Sequence, residues 1–173
     1  MQSIAYAKRK RFHMRENTPG LAFSDILRNG RPDAVAWVTG NRENPQLSGL
    51  VKFYLTPYQG ILVEAEIFGL PNIRTQNSTN YYAMHIHENG DCTPPFDKTG
   101  AHYSYRPAMH PEHSGDLMPL LGNQGYAWGA FYDKRLTVAE VIGRSVVIHA
   151  LPDDFTTQPS GNSGEKIGCG VIR

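Results

Sequence analysis

The chain has 173 residues, 40% apolar and 19% charged, with a formal net charge of +1, the profile of one globular domain around a single core. No apolar run approaches the roughly 18 residues that a membrane span needs. The near-neutral charge argues against nucleic acid or an anionic membrane as the main partner, while a small anion drawn to a local positive patch stays compatible with it.

Taken in chain order, residues 1–32 show no sustained period and contain Pro19, Gly20, Gly30 and Pro32. They read as an N-terminal extension, poorly structured or packed on the surface, ahead of a domain spanning 33–173. Basic residues are present, but no apolar h-region follows them. The chain as written therefore reads as cytoplasmic, and as secreted or periplasmic if a signal has been removed. The run Lys8-Arg9-Lys10-Arg11 reads as a solvated tail rather than a nucleic-acid or targeting patch.

From Ala34 the pattern changes to short runs rich in β-branched and aromatic residues, punctuated by Gly, Pro and Asn, as in an all-β domain. Val51, Phe53 and Leu55 alternate with Lys52, Tyr54 and Thr56, and Val63, Ala65 and Ile67 with Glu64, Glu66 and Phe68. Period 2 sends one set of each to the core and the other outward. Further strands are expected at 34–38, 81–87, 127–132, 145–150 and 166–172, with a hairpin turn from Pro57 to Gly60. Trp37 and Trp128 read as core or edge packing. Asn77-Ser78-Thr79 has the form of a glycosylation acceptor but reads as a polar loop.

The stretch from Asn89 to Asn123 is rich in Gly, Pro, His and Asp and has little apolar period. A loop of that length inside a compact domain is functional or tied down. Six of the seven histidines lie between residues 85 and 149, and imidazole is the commonest ligand for zinc and copper. His85 and His87 share one strand face while Met84 and Ile86 take the core face, so two imidazoles project together from a rigid element. His149 ends another strand. His110, His113 and Asp116, at spacings of three, can converge on one ion from a single turn. With His102 they make three nitrogens and a carboxylate, the closed tetrahedral pattern of structural zinc. Cys92 and Cys169 stand either as free thiols or as a disulfide closing a long loop.

Several blocks, in order, then match a family. They are His85-Ile86-His87-Glu88 with Gly90-Asp91, Gly100-Ala101-His102-Tyr103, Gly115-Asp116-Leu117, the run from Ile142 to His149, and the run from Gly161 to Ile172. Over residues 33–173 the chain resembles the Cu/Zn superoxide dismutases. The resemblance implies an all-β fold, an eight-stranded Greek-key β-sandwich or barrel with long metal-binding loops, which the strand count supports. It implies copper on His85, His87, His102 and His149, and zinc on His102, His110, His113 and Asp116, with His102 bridging the two. It makes Asp153 the carboxylate linking a copper histidine to a zinc histidine, and Cys92–Cys169 a disulfide. Superoxide is the implied substrate, with His102 and Lys166 as the catalytic pair.

The chain departs from the family at three places. Lys166 stands where an arginine usually does, which keeps the charge but loses the planar fork. Only two residues separate His110 from His113. Asp154 and Glu165 carry the wrong sign for attracting an anion, so weaker steering is expected. The alternative to an enzyme is a non-catalytic copper/zinc-binding module, a carrier or a structural relative. A zinc hydrolase would need an open zinc position, which the ligand set closes. No strand face is apolar enough to mark an interface, so a homodimer is compatible with the sequence without being signalled by it.

Overall fold

The computed structural model describes residues 18–72 and 80–173. The Lys8–Arg11 run and residues 77–79 lie outside the described residues. Among the described residues nine strands form: β1 (Ala34–Gly40), β2 (Ser48–Leu55), β3 (Ile61–Phe68), β4 (Tyr81–Tyr82), β5 (Met84–His87), β6 (Leu120–Leu121), β7 (Ala127–Asp133), β8 (Ser145–His149) and β9 (Lys166–Val171). Seven join one antiparallel sheet in the order β5-β8-β9-β1-β2-β3-β7, and β4 pairs with β6 in a two-stranded ribbon. The expected strand at 81–87 is present, broken at Ala83, whose N–H and carbonyl bond to Leu151 and His149 instead. Counted as one run, β4 and β5 leave eight strands, the number the resemblance implies; seven lie at the expected places, and β6 falls within the stretch read as a loop. The sheet curls into an all-β half-barrel.

The β2–β3 hairpin shows why the sequence folds this way. In register, Val51 faces Ala65 and Phe53 faces Val63, and all four are buried. Each large side chain so buried contributes about 1.5–3 kcal/mol. On the other face Lys52 and the Tyr54 hydroxyl donate to Glu64 at 3.1 and 2.8 Å. Tyr54, expected outward, is covered by these contacts and only 3% exposed, whereas Leu55, expected inward, sits at the strand end and is 58% exposed. Trp37 and Trp128 are both more than half exposed, so neither is a core residue: Trp128 lies on the edge strand β7 and Trp37 on the outer face of the interior strand β1. The core runs between the two halves of the curl, from Ala36, Val38 and Phe53 across to Met84, Ile86, Val146 and Ile148.

Among the described residues two α-helices accompany the sheet. Residues Pro19–Asn29 form α1, with no buried side chain; the Phe23 ring stacks on Tyr132 at 5.0 Å and meets Tyr58 edge-on at 5.8 Å. The residues that read as breakers are its ends: Pro19 opens the helix, where a missing N–H costs nothing, and Gly30 follows its last residue. The short α2 (Val138–Val141) starts in a reciprocal Thr137/Glu140 capping box. Among the described residues no helix is long and apolar enough to cross a membrane.

Candidate metal centre

β5 and β8 pair with Met84 opposite Ile148 and His85 opposite Val147. The apolar partners Met84, Ile86, Val146 and Ile148 go to the core, which leaves His85, His87 and His149 on the other side. The long loop lies along the free edge of β5. Tyr103 N–H donates to the Ile86 carbonyl at 2.8 Å and Ile86 N–H to the Gly115 carbonyl at 2.9 Å. Single bridges also set His87 beside His102 and His85 beside Asp116. The loop is thus held as an irregular extra strand, and it brings His102 and Asp116 beside the strand histidines.

Two groups of four result, His85, His87, His102, His149 and His102, His110, His113, Asp116, with the ligand atoms of each all within 4.8 Å of one another. His102 belongs to both. The hydrogen bonds at the outer nitrogens fix which ring atoms face inward. His87 Nδ1 lies 2.9 Å from the Gly100 carbonyl and His149 Nδ1 3.2 Å from the Gly164 carbonyl, so each Nδ1 carries the proton. Their Nε2 lone pairs then confront each other at 3.3 Å. His85 Nε2 is 2.9 Å from one oxygen of Asp153, and His110 Nε2 is 2.7 Å from the other.

With those protons assigned, His85 Nδ1, His102 Nε2, His110 Nδ1 and His113 Nδ1 are buried without a hydrogen-bond partner. Asp116 brings Oδ1 to 2.7 Å from His102 Nδ1 and Oδ2 to 3.2 and 3.0 Å from the Nδ1 atoms of His110 and His113. Converging lone pairs that lack donors are a cation's environment, since each orphaned group otherwise costs about 1–3 kcal/mol. Burial keeps the rings unprotonated as well: it drives His87 down to about 2 and His149 to about 3. Burial pushes Asp153 up, but hydrogen bonds from His85, the Phe155 N–H and His110 outweigh it and hold the carboxyl at about 2. Imidazole sets of this kind suit copper and zinc, and a three-nitrogen, one-carboxylate set suits closed zinc. The residues present fit both ions.

The Cys92–Cys169 disulfide is formed, with Cα atoms 5.6 Å apart, and it joins the loop to β9. Lys166 lies opposite His149 in the β8–β9 register, and its charge contributes to keeping His87 and His149 unprotonated. Every residue expected at the site is therefore at or beside it.

Three further residues escaped the sequence reading. Gly161 has φ +67°, and a Cβ there would stand 2.0 Å from Asp153 Oδ1 and 2.6 Å from His110 Nε2. Arg135, between β7 and α2, donates to the carbonyls of His113 at 3.1 Å and Asp116 at 2.6 Å while paired with buried Asp133 at 2.8 Å. Thr99 is fully buried between Lys166 and His87. Only the positive-φ glycine carried a local signal, in the run Gly161-Asn162-Ser163-Gly164.

The family model described as copper/zinc superoxide dismutase matches residues 47–172. The chain belongs to the copper/zinc superoxide dismutase family. A Deinococcus radiodurans Cu-Zn superoxide dismutase is 31% identical, over 89% of this chain and 91% of its own. One from Caulobacter vibrioides is 33% identical over 66% and 72%. The mouse extracellular superoxide dismutase is 33% identical over 75% of this chain, and the chain spans 55% of its length. Among solved structures, a double mutant of a superoxide-dismutase-like protein from Bacillus subtilis shares the fold, with TM-score 0.67 and 23% identity, over 79% and 94% of the two chains. The clock protein EA4 matches with TM-score 0.66 and 27% identity over 82% and 94%. Within this superoxide dismutase family fold, the seven side chains of the two groups that could hold a metal ion come from two strands and one loop.

Proposed function

We propose that the chain is a superoxide dismutase that converts two superoxide anions and two protons to O2 and H2O2. The observation that carries this reading is the His102 ring shared between two complete sets of four ligand side chains. Copper on His85, His87, His102 and His149 would supply a one-electron couple that redox-inert zinc lacks.

The chain's own contribution is charge, geometry and a proton. His102 keeps Nδ1 beside Asp116, where His110 and His113 complete the zinc set. Its Nε2 is then the atom that takes up a proton after the first superoxide has lost its electron, and returns it to the second. A second proton from water completes the peroxide. Asp153 holds one ring of each set and fixes which nitrogen faces inward. Lys166 attracts and docks the anion opposite His149. Reactions of this kind are limited by encounter, so the local field governs the rate. The exposed carboxylates of Asp154 and Glu165 oppose that field.

The disulfide and the likeness to mammalian extracellular superoxide dismutases support an oxidising compartment rather than the cytoplasm. The test is turnover of superoxide by the copper- and zinc-reconstituted chain, with metal content measured on the same sample. Activity that follows copper at about one equivalent per chain, and disappears in His85→Gln, is expected. Copper bound without turnover would leave the non-catalytic metal-binding module.

A further inference from the structure

A lysine in place of an arginine brings a particular difficulty. Its ammonium is a point charge on a four-carbon stem, with roughly 2 kcal/mol of rotamer entropy and no planar fork to fix its direction. In this chain the ammonium is nevertheless tethered. Lys166 Nζ donates to Thr99 Oγ1 at 2.8 Å and to the Phe96 carbonyl at 3.3 Å.

Both acceptors are themselves immobile. The Thr99 side chain is fully buried, and its hydroxyl donates to the Phe96 carbonyl at 2.8 Å, which turns its lone pairs toward the ammonium. Phe96 has φ 74°, and its ring is buried in a small cluster with Val147, Cys169 and Cys92. An ammonium has three N–H donors. Two are engaged among the described residues, and the third is left for an anion. Thr99 Oγ1 also lies 3.4 Å from His87 Nδ1, so the tether stands between the cation and a ring of the copper set.

We propose that Thr99 is a positioning residue, which fixes the Lys166 ammonium beside the four-histidine copper set so that a small monoanion meets it in one orientation. The hydroxyl supplies to lysine the fixed direction that a guanidinium carries in its own plane. The inference rests on the proposed superoxide dismutase reading and adds to it a residue that acts through Lys166, not on the substrate.

The probe is azide, titrated into the copper- and zinc-loaded chain and followed by the Cu(II) absorption and EPR signals, which report binding without turnover. Lys166→Met should weaken azide on the order of fivefold, the effect of removing one nearby charge at a partly solvated site. Thr99→Val, which keeps the shape and loses the acceptor, should weaken it about threefold, and Thr99→Ser should bind as the parent does. Adding Lys166→Arg to Thr99→Val should restore the affinity, because a guanidinium needs no such tether. Unchanged azide affinity in Thr99→Val, alongside a loss in Lys166→Met, overturns the role of Thr99 and leaves that of Lys166. A Thr99→Val loss that arginine does not repair also overturns it, since the effect would then run through His87. Equal affinity in Lys166→Met and the parent removes the docking role of Lys166 itself, and failure to bind copper at all removes the enzyme reading.

Discussion

Asp153 and Gly161 meet at a point where one methyl group decides the geometry. Asp153 divides its two oxygens between His85 and His110, and the space beside Oδ1 is open only because residue 161 has no Cβ. The left-handed backbone at Gly161 adds a conformational cost for any other residue. Gly161→Ala should therefore displace the carboxylate and lower the affinity for both metals by about 10- to 100-fold, as loss of a ligand-orienting partner does elsewhere. Competition with a chromophoric chelator measures this, and parental affinities in the variant would show that the carboxylate is dispensable. Sequence could name Asp153 through the family pattern. It could not assign Gly161 this role, because the contact depends on a backbone angle and on a neighbour eight positions away.

At the scale of elements, the site is a loop laid against a strand edge and pinned from outside. Arg135 grips the carbonyls at both ends of the His113–Asp116 turn and is itself held by Asp133, so these two closely spaced side chains are oriented by a different segment of chain. Arg135→Met should loosen zinc on the order of tenfold and leave copper affinity close to the parent's. The comparison is made by metal content after graded chelation, and equal loss of both ions would argue against a local clamp. At the opposite end the disulfide closes a separation of 77 residues. Replacing both cysteines by serine should cost about 4 kcal/mol in a urea melt. The strands were legible because period 2 writes burial directly into the sequence, as Val51, Phe53, Val63 and Ala65 show. Helix α1 was not, because Pro19 and Gly30 mark its ends and read as breaks. Arg135 was hidden for another reason: its partners lie about twenty residues away across a loop with no period.

For the whole molecule, the buried imidazoles set how stability depends on pH. His87 and His149 titrate near 6.5 when unfolded but at about 2 and about 3 in the fold, because burial disfavours their charged forms. Between those limits the unfolded chain binds more protons than the folded one, so the stability of the metal-free protein rises with pH. Falling pH removes it from about 6.5 downward, at up to about 1.4 kcal/mol per pH unit for each ring. Urea midpoints across pH 4–8 should show this slope, and His149→Gln should flatten it. A flat profile in the parent would mean that the rings charge without unfolding the chain.

The Asp153 bridge has a consequence for the order of assembly. One carboxylate holds a ring in each set of four, so under the proposed metal loading whichever ion arrived first would spare the second part of the work of ordering the shared side chains. By thermodynamic reciprocity the help is mutual and equal: the factor by which zinc raises copper affinity is the factor by which copper raises zinc affinity. With copper and zinc bound as proposed, the two sites would thus behave as one cooperative unit, and a chain filled at one of them would already be biased toward being filled at both.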